Sequence, residues 1–379
     1  MRLPLQARMD HDHLSILVSD DQPDVLEAIR LLLKSAGHET TTANSPAKLL
    51  EVARSRPFDL ILMDLNYSRD TTSGREGLDL LASLEAGRGE VPVVVMTAWS
   101  NVDLAVEAMQ RGAVDFIQKP WDNSRLLSVI DRQTSAFRTK AVARHDLDRA
   151  RDVQRRLLPK SAPGLDSLDC AALSVPAAEI GGDYYDFLDA GSGRVAFLLA
   201  DVSGKGVAAG LLMAHLRASF HSQSAATLAE PAAAIRSVNN LFVESTALDE
   251  YATLFYGVYH EGRRQVRYVN CGHLAPVLIR SGGSIERLAP TTTVLGLFAG
   301  MALTEASVDL SPGDTLLLFS DGITEAANPA GDEFGENRLP ALMRGALPSI
   351  PGRILDAVRV FSPGSPSDDR TVVCLRARC

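Results

Sequence analysis

Between residue 16 and about residue 137, short apolar runs alternate with segments of helical periodicity, and this alternation constrains the fold more than any other feature. Residues 16–19 form an apolar run. Residues 23–35 follow with Val25, Ile29, Leu32 and Leu33 at helical spacing. Pro23 suits a first helical turn and Gly37 a helix stop. The β-branched stretch 38–43 reads as a strand, 48–53 as a short helix and 60–64 as a buried strand. Residues 78–84 read as helix, 93–97 as strand, 102–109 as a helix closed by Gly112, and 115–117 as a strand; a helix follows from Asp122. Five strands alternating with helices predict a parallel, flavodoxin-like sheet covered on both faces. In such sheets the active crevice lies at the carboxyl ends of the strands.

The residues at those ends are polar in a specific way. The first strand ends at Asp20 and Asp21, the third at Asp64 and the fourth at Thr97; the fifth leads to Lys119 and Pro120. Three carboxylates at adjacent strand ends repel one another unless a cation lies between them, and hard oxygen ligands suit Mg²⁺. A Lys and a Thr hydroxyl beside them suit the oxygens of a phosphoryl group. This constellation resembles the receiver domain of two-component response regulators over residues 14–137. The resemblance implies that Asp64 is the phosphoacceptor, that Asp20, Asp21 and Asp64 hold Mg²⁺, and that Thr97 and Lys119 read the phosphoryl group. It also implies that Phe116 is the aromatic switch and that a cognate histidine kinase is the partner. The competing reading, strand-end capping carboxylates without chemistry, requires five polar positions to coincide by chance. The polar stretch 66–74 resembles receivers of enhancer-binding transcription factors.

From residue 126 to residue 158 there is neither Gly nor Pro, and Arg, Ala and Leu abound, which predicts one long helix. Ile130, Phe137 and Ala141 mark one apolar stripe; Ala143, Leu147, Ala150 and Leu157 mark another at coiled-coil spacing. The stripes are out of phase near Ala143, where a stutter or break is expected. A dimerising signalling helix and an amphipathic helix packed on its own domains both fit. The segment 153–159, VQRRLLP, resembles what precedes many bacterial serine phosphatase domains.

Beyond residue 161 short strands recur at 195–200, 254–259, 265–270, 276–280, 315–320 and 371–375, with helical segments near 208–223 and 231–245. Strands around a helical pair predict an α+β sandwich rather than a βαβ repeat. Aspartates stand at strand ends or beside glycine: Asp183 in GGDYYD, Asp201 in DVSGKG, Asp321 in SDGITEA, and Asp368 and Asp369 in DDRT. Such positions are expected to be exposed, with the backbone free to approach an ion. Four of them can converge on hard divalent cations, and a two-metal site activates water and clamps phosphate.

With NCGH and LSPGD completing the series, this module resembles the PPM family of metal-dependent Ser/Thr protein phosphatases, in its bacterial sporulation and stress-response branch. The resemblance covers residues 150–379. It implies a β-sandwich flanked by helices and two Mn²⁺ or Mg²⁺ ions. Asp201 would bridge them, Asp321 and Asp368 would ligate one, and Asp183 with the Val202 carbonyl would support the other. Water activated between the ions would attack the phosphorus of phosphoserine or phosphothreonine, with Asp201 central to catalysis. The implied substrate is a phosphorylated signalling protein of the anti-sigma-factor antagonist kind. Lys205 stands where many relatives carry His, so no histidine general acid is assigned. A structural role is expected for His273 and local hydrogen bonding for Glu325.

These readings divide the chain into a loose tail (1–13), a receiver (14–137), a helical linker (138–160) and a phosphatase domain (161–379). GGDYYD is similar to a diguanylate cyclase signature, but the other carboxylates follow the phosphatase order. The one GK pair, Gly204–Lys205, lacks the earlier glycine of a phosphate-binding loop, and no basic helix-turn-helix follows residue 140. The formal net charge of −9 argues against binding nucleic acid through its phosphates. A non-catalytic, phosphatase-like platform that sequesters a partner is the remaining alternative, and the four intact aspartate motifs argue against it. Cys170, Cys271, Cys374 and Cys379 form no CxxC pair, and no secretory leader is recognisable. With no apolar run long enough for a bilayer, a cytoplasmic protein with free thiols is expected, a homodimer through the linker helix being one option.

Overall fold

The computed structural model describes residues 13–67, 75–87, 91–97 and 102–378. Most of the expected tail, the larger part of the polar stretch 66–74, and Cys379 lie outside these residues. The chain forms two compact units, one up to Asp146 and one from Leu147 onward.

The first unit alternates β1 (Ser15–Ser19), α1 (Pro23–Ser35), β2 (Glu39–Ala43), α2 (Pro46–Ser55), β3 (Leu60–Asp64), α3 (Arg75–Gly87), β4 (Val93–Thr97), α4 (Val102–Gln110) and β5 (Asp115–Gln118). The five strands form one parallel sheet in the order β2-β1-β3-β4-β5. Successive side chains go to opposite faces, as strand geometry demands. Ile16, Val18, Leu62 and Val94 join one core with Ile29 and Leu33 of α1, whereas Leu17, Ile61, Met63 and Val95 join another with Leu49, Leu81 and Leu104. Burial on both faces is why the strands read as unbroken apolar runs. Helix starts follow local chemistry: Pro23 opens α1, and the Ser45 hydroxyl accepts a hydrogen bond from the Lys48 amide at the head of α2.

Helix α5 runs without interruption over Asn123–Leu157, straight through the phase change at Ala143, so the expected break does not occur. The i→i−4 ladder needs no apolar continuity, and the segment contains neither Gly nor Pro to open it. Its early turns bury Leu126, Val129, Ile130 and Thr134 in the first unit.

The second unit begins with β6 (Leu168–Val175), β7 (Tyr184–Asp189), β8 (Arg194–Val202), α6 (Val207–His221), α7 (Ala225–Leu228), α8 (Pro231–Val243), β9 (Ala252–His260) and β10 (Gln265–Cys271). It continues with β11 (Val277–Ile279), β12 (Ile285–Arg287), β13 (Ala306–Asp309), β14 (Thr315–Phe319), α9 (Asp321–Thr324), α10 (Leu339–Leu342), α11 (Ile350–Phe361) and β15 (Arg370–Ala377). Two antiparallel sheets form, β13-β10-β9-β8-β7 and β12-β11-β14-β15-β6. Their inner faces meet in one core, with Phe197, Leu199 and Phe255 against Leu316, Leu318 and Val373. Helices α6 and α8 cover the outer face of the first sheet through Met213, Leu216, Phe220, Ile235 and Phe242. Helix α11 covers the second through Ile350, Ile354 and Val358. This is the expected sandwich flanked by helices. Helix α11 went unanticipated because Pro351 and Gly352 in its first turn read as breakers, although a first turn has no intrahelical amide bonds to lose. Strand β6 was missed because half-exposed positions interrupt its apolar pattern.

Candidate functional site

In the first unit the strand ends converge as the topology requires. Asp20, Asp21 and Asp64 each bring a carboxylate oxygen within 4.8 Å of the others. Asp20 and Asp64 are buried, and Lys119 bridges them, its Nζ lying 2.7 Å from Asp20 Oδ2 and 2.8 Å from Asp64 Oδ2. Burial raises the Asp64 pKa and the Lys119 ammonium opposes the rise. Asp21 Oδ1 is buried with no hydrogen-bond partner among the described residues, an oxygen for which an ion would account. Thr97 is buried at the end of β4, and the Lys119 amide donates to its carbonyl at 2.8 Å. Phe116 packs half-buried against the Leu17 core. One residue escaped the sequence reading. The Tyr67 hydroxyl lies 2.8 Å from Ser19 Oγ and ties the end of β1 to the loop after β3.

In the second unit, the two antiparallel sheets each contribute one pair of strand ends. Tyr184 pairs with Ala200, so Asp183 just before β7 stands beside Asp201 near the end of β8. Phe319 pairs with Val372, which brings Asp321 after β14 next to Asp368 and Asp369 before β15. Mutual repulsion leaves its mark. Asp201 is pushed up to about 7 by burial and then by the charges of Asp321, Asp368 and Asp369. Asp183 is raised well above the ordinary carboxylate range by burial, then by Asp201 and Asp369, and Asp321 is raised by burial and Asp368. The four aspartates span more space than the receiver triad; among the described residues no three of them bring oxygens within 4.8 Å.

Asp183 departs from its expected exposure: it is 5% accessible. Both its oxygens are nonetheless without a hydrogen bond among the described residues. The nearby hydroxyls are spent elsewhere, Ser320 Oγ donating to the Asp369 carbonyl and Thr371 Oγ1 to Ser174 Oγ. A buried carboxylate without donors is costly, and a hard cation satisfies it. The Val202 carbonyl faces Gly182 so closely that a Cβ there would lie 2.9 Å from the oxygen. The residues present therefore fit divalent ions.

The two aspartates of DDRT do different things. Asp369 accepts amide hydrogen bonds from Gly182 (2.6 Å) and Asp183 (3.2 Å) on Oδ2 and from Ala177 (2.7 Å) on Oδ1. It anchors the GGD loop. Asp368 is half-exposed, and its own neighbour's amide and the Lys205 ammonium reach it. Gly322 in α9 has no room for a side chain, since a Cβ would overlap the Asp369 carbonyl and lie 3.0 Å from the Asp368 carbonyl carbon.

His273 is buried, its Nδ1 2.9 Å from Thr253 Oγ1, and burial lowers its pKa to about 4. A neutral imidazole thus props Thr253, which pairs with Asp201 across β8 and β9. The Glu325 amide donates to the Asp321 carbonyl at 2.8 Å. Gln154 was missed by the sequence reading. From the last turns of α5 its Nε2 donates to the Gly181 carbonyl at 2.7 Å, and its Oε1 accepts from the Gly181 amide at 3.0 Å. One side chain thus clamps the peptide leading to Asp183. Gln154→Ala is expected to lower phosphatase turnover by about tenfold while leaving Asp64 phosphorylation unchanged, the two being followed by phosphopeptide hydrolysis and by phosphate-affinity electrophoresis.

Comparison with known proteins agrees with this division. The family profile described as "Response regulator receiver domain" matches residues 16–131. The profile described as "Stage II sporulation protein E (SpoIIE)" matches residues 191–378. Protein IcfG of Synechocystis sp. is 28% identical over 244 residues, covering 58% of this chain and 38% of that protein. Phosphoserine phosphatase RsbU of Bacillus subtilis is 30% identical over 188 residues, covering 49% of this chain and 55% of RsbU. The chain thus spans little more than half of these relatives at most. Among solved structures, the SiaA-PP2C domain of Pseudomonas aeruginosa shares the fold, with a TM-score of 0.55 and 21% identity over 63% of this chain and 98% of that one. The RsbU and RsbW domains of Rv1364c from Mycobacterium tuberculosis superpose with a TM-score of 0.51 and 25% identity over 59% of this chain and 63% of that one. The chain therefore belongs among the response regulators, carrying a receiver domain joined to a phosphatase domain of the SpoIIE branch of the PPM family.

Proposed function

We propose that phosphorylation of Asp64 controls a metal-dependent phosphoserine/phosphothreonine protein phosphatase carried on the same chain. The observation that carries the catalytic half is Asp183, a buried carboxylate with neither oxygen hydrogen-bonded among the described residues, beside a second carboxylate, Asp201. That pairing calls for cations rather than for a passive surface. Asp201 would bridge two Mn²⁺ or Mg²⁺ ions, Asp321 and Asp368 would hold one, and Asp183 with the Val202 carbonyl would hold the other. Bound ions would supply Lewis acidity at the phosphoryl group and activate water for its hydrolysis. The chain's own residues keep the carboxylates apart and aimed, Asp369 by anchoring the GGD loop and His273 by propping Thr253.

In the receiver, Asp64 attacks the phosphorus of a phosphodonor, an acyl phosphate forms and the donor group departs. Mg²⁺ on Asp20, Asp21 and Asp64 would neutralise the approaching charge, with Lys119 and Thr97 on the phosphoryl oxygens and Phe116 as the switch aromatic. Helix α5 begins in the receiver and runs on to Leu157, and from its last turns Gln154 grips the loop that carries Asp183, a continuous path for the signal. The partner that loads Asp64 is a histidine kinase. The similarity to RsbU, named a phosphoserine phosphatase, supports a phosphoserine protein as substrate; the motif resemblance to the sporulation and stress-response branch adds anti-sigma-factor antagonists as the proposed class. Val153, 47% exposed on α5, leaves apolar surface for a second copy of the helix. Among the described residues no helix is long and apolar enough to cross a membrane, in keeping with action in the cytoplasm.

The test is hydrolysis of a phosphoserine peptide in Mn²⁺ with and without acetyl phosphate. The donor is expected to change the wild-type rate by about tenfold and to leave Asp64→Asn unaffected. An equal response in Asp64→Asn would refute control through this residue. Metal binding without hydrolysis of any phosphopeptide would point to a non-catalytic platform instead.

A further inference from the structure

The two ends of the phosphatase carboxylate cluster are not alike. At one end the Asp183 oxygens have no donors among the described residues. At the other, both oxygens of Asp368 are engaged: Oδ1 accepts from the Asp369 amide at 2.9 Å, and Oδ2 lies 2.9 Å from the Lys205 ammonium. A second N–H of that ammonium donates to the Ser367 carbonyl at 2.6 Å. Lys205 stands on the loop after Asp201, between Gly204 (φ +91°) and Gly206 (φ +73°), with open space around both. Its side chain is 60% exposed, so it can swing into water at little cost.

We propose that Lys205 is a displaceable internal counter-ion of the phosphatase metal site, holding Asp368 until a divalent ion takes that carboxylate from it. The inference rests on Asp368 being a metal ligand. An ammonium and a divalent ion cannot both approach Oδ2 along the same lone pairs. An ion bound there must break the Lys205 contact or share the oxygen with it. The bare Asp183 end therefore loads first, and the Asp368 end binds more weakly because it starts neutralised. The device keeps four clustered carboxylates tolerable in the ion-free protein. It also makes the last ion the adjustable one.

Mn²⁺ titration calorimetry on the full chain tests this, in an Asp21→Asn background that suppresses the receiver site. Lys205→Met is expected to tighten the weaker Mn²⁺ equilibrium by about fivefold, the upper range for an exposed ion pair. In an Asp368→Asn background the same substitution should neither tighten nor restore that equilibrium. The cycle separates competition for one carboxylate from simple repulsion between cations. No tightening in Lys205→Met, or equal tightening in both backgrounds, overturns the proposal. A separate outcome bears on the reading beneath it: if Asp201→Asn and Asp368→Asn both bind Mn²⁺ as the parent does, these aspartates are not metal ligands.

Discussion

Asp201→Asn is expected to abolish phosphopeptide hydrolysis while making the metal-free protein more stable. The opposite signs have one cause. Burial and the charges of Asp321, Asp368 and Asp369 push the Asp201 carboxyl up to about 7 in the folded chain, against 3.8 for an unperturbed aspartate. Between those values the folded state binds more protons than the unfolded state, so stability falls as pH rises through this window. Asparagine has no charge to be repelled, and it also relieves Asp183, whose pKa is raised partly by Asp201. In chelator, the wild-type thermal midpoint should fall from about pH 5 to pH 8, and the variant should melt higher with a flatter profile. Mn²⁺ should reverse the order, because an ion that binds only the folded state stabilises it. Turnover should drop by about a thousandfold, as when a central catalytic group is removed. A variant that melts below wild type in chelator would show that Asp201 is a structural residue and not a strained ligand.

The neighbouring pair Asp368 and Asp369 should separate just as clearly. Asp369→Ala removes the acceptor of three backbone amides, those of Ala177, Gly182 and Asp183. Unmet donors of this kind make the expected loss about 4 kcal/mol. In a unit of this size that lowers the midpoint by about 10 °C. Asp368→Ala removes an exposed ion pair with Lys205, so its midpoint should stay within about 2 °C of wild type in chelator. Both variants should lose hydrolysis, Asp369→Ala through collapse of the GGD loop and Asp368→Ala through loss of the proposed metal ligand. Asp64 phosphorylation serves as the internal control, since the receiver has its own core. Equal midpoints for the two variants would contradict the anchoring role of Asp369.

The order of strands and helices in the first unit was legible in the sequence, and its polar strand ends with it, because in a parallel sheet the polar residue that ends each apolar run must come to the same edge as its neighbours. Asp20, Asp21, Asp64, Thr97 and Lys119 needed only strand order to meet. The phosphatase sandwich was legible through its motifs more than its periodicity. Its strands beside GGD, DVSG, SDG and DDRT were separable, but β6, β12, β13 and α11 carry half-exposed or proline-interrupted patterns that periodicity does not resolve.

By itself the sequence determined the two-module order, the strand ends that carry carboxylates, and a long helix after the fifth strand, though not that the helix passes unbroken through Ala143. These depend on spacing along the chain, which local propensity and periodicity encode. Tertiary structure alone decided that Asp183 is buried without donors among the described residues, that Asp369 binds the amides of Ala177 and the GGD loop while Asp368 stays half-exposed, that Lys205 reaches Asp368 and that Gln154 grips Gly181. The contacts among these span from 27 positions of chain, Gln154 with Gly181, to 192, Asp369 with Ala177. Which donor meets which acceptor at that range depends on how two sheets and their helices pack, and residue types at fixed spacing do not carry that information.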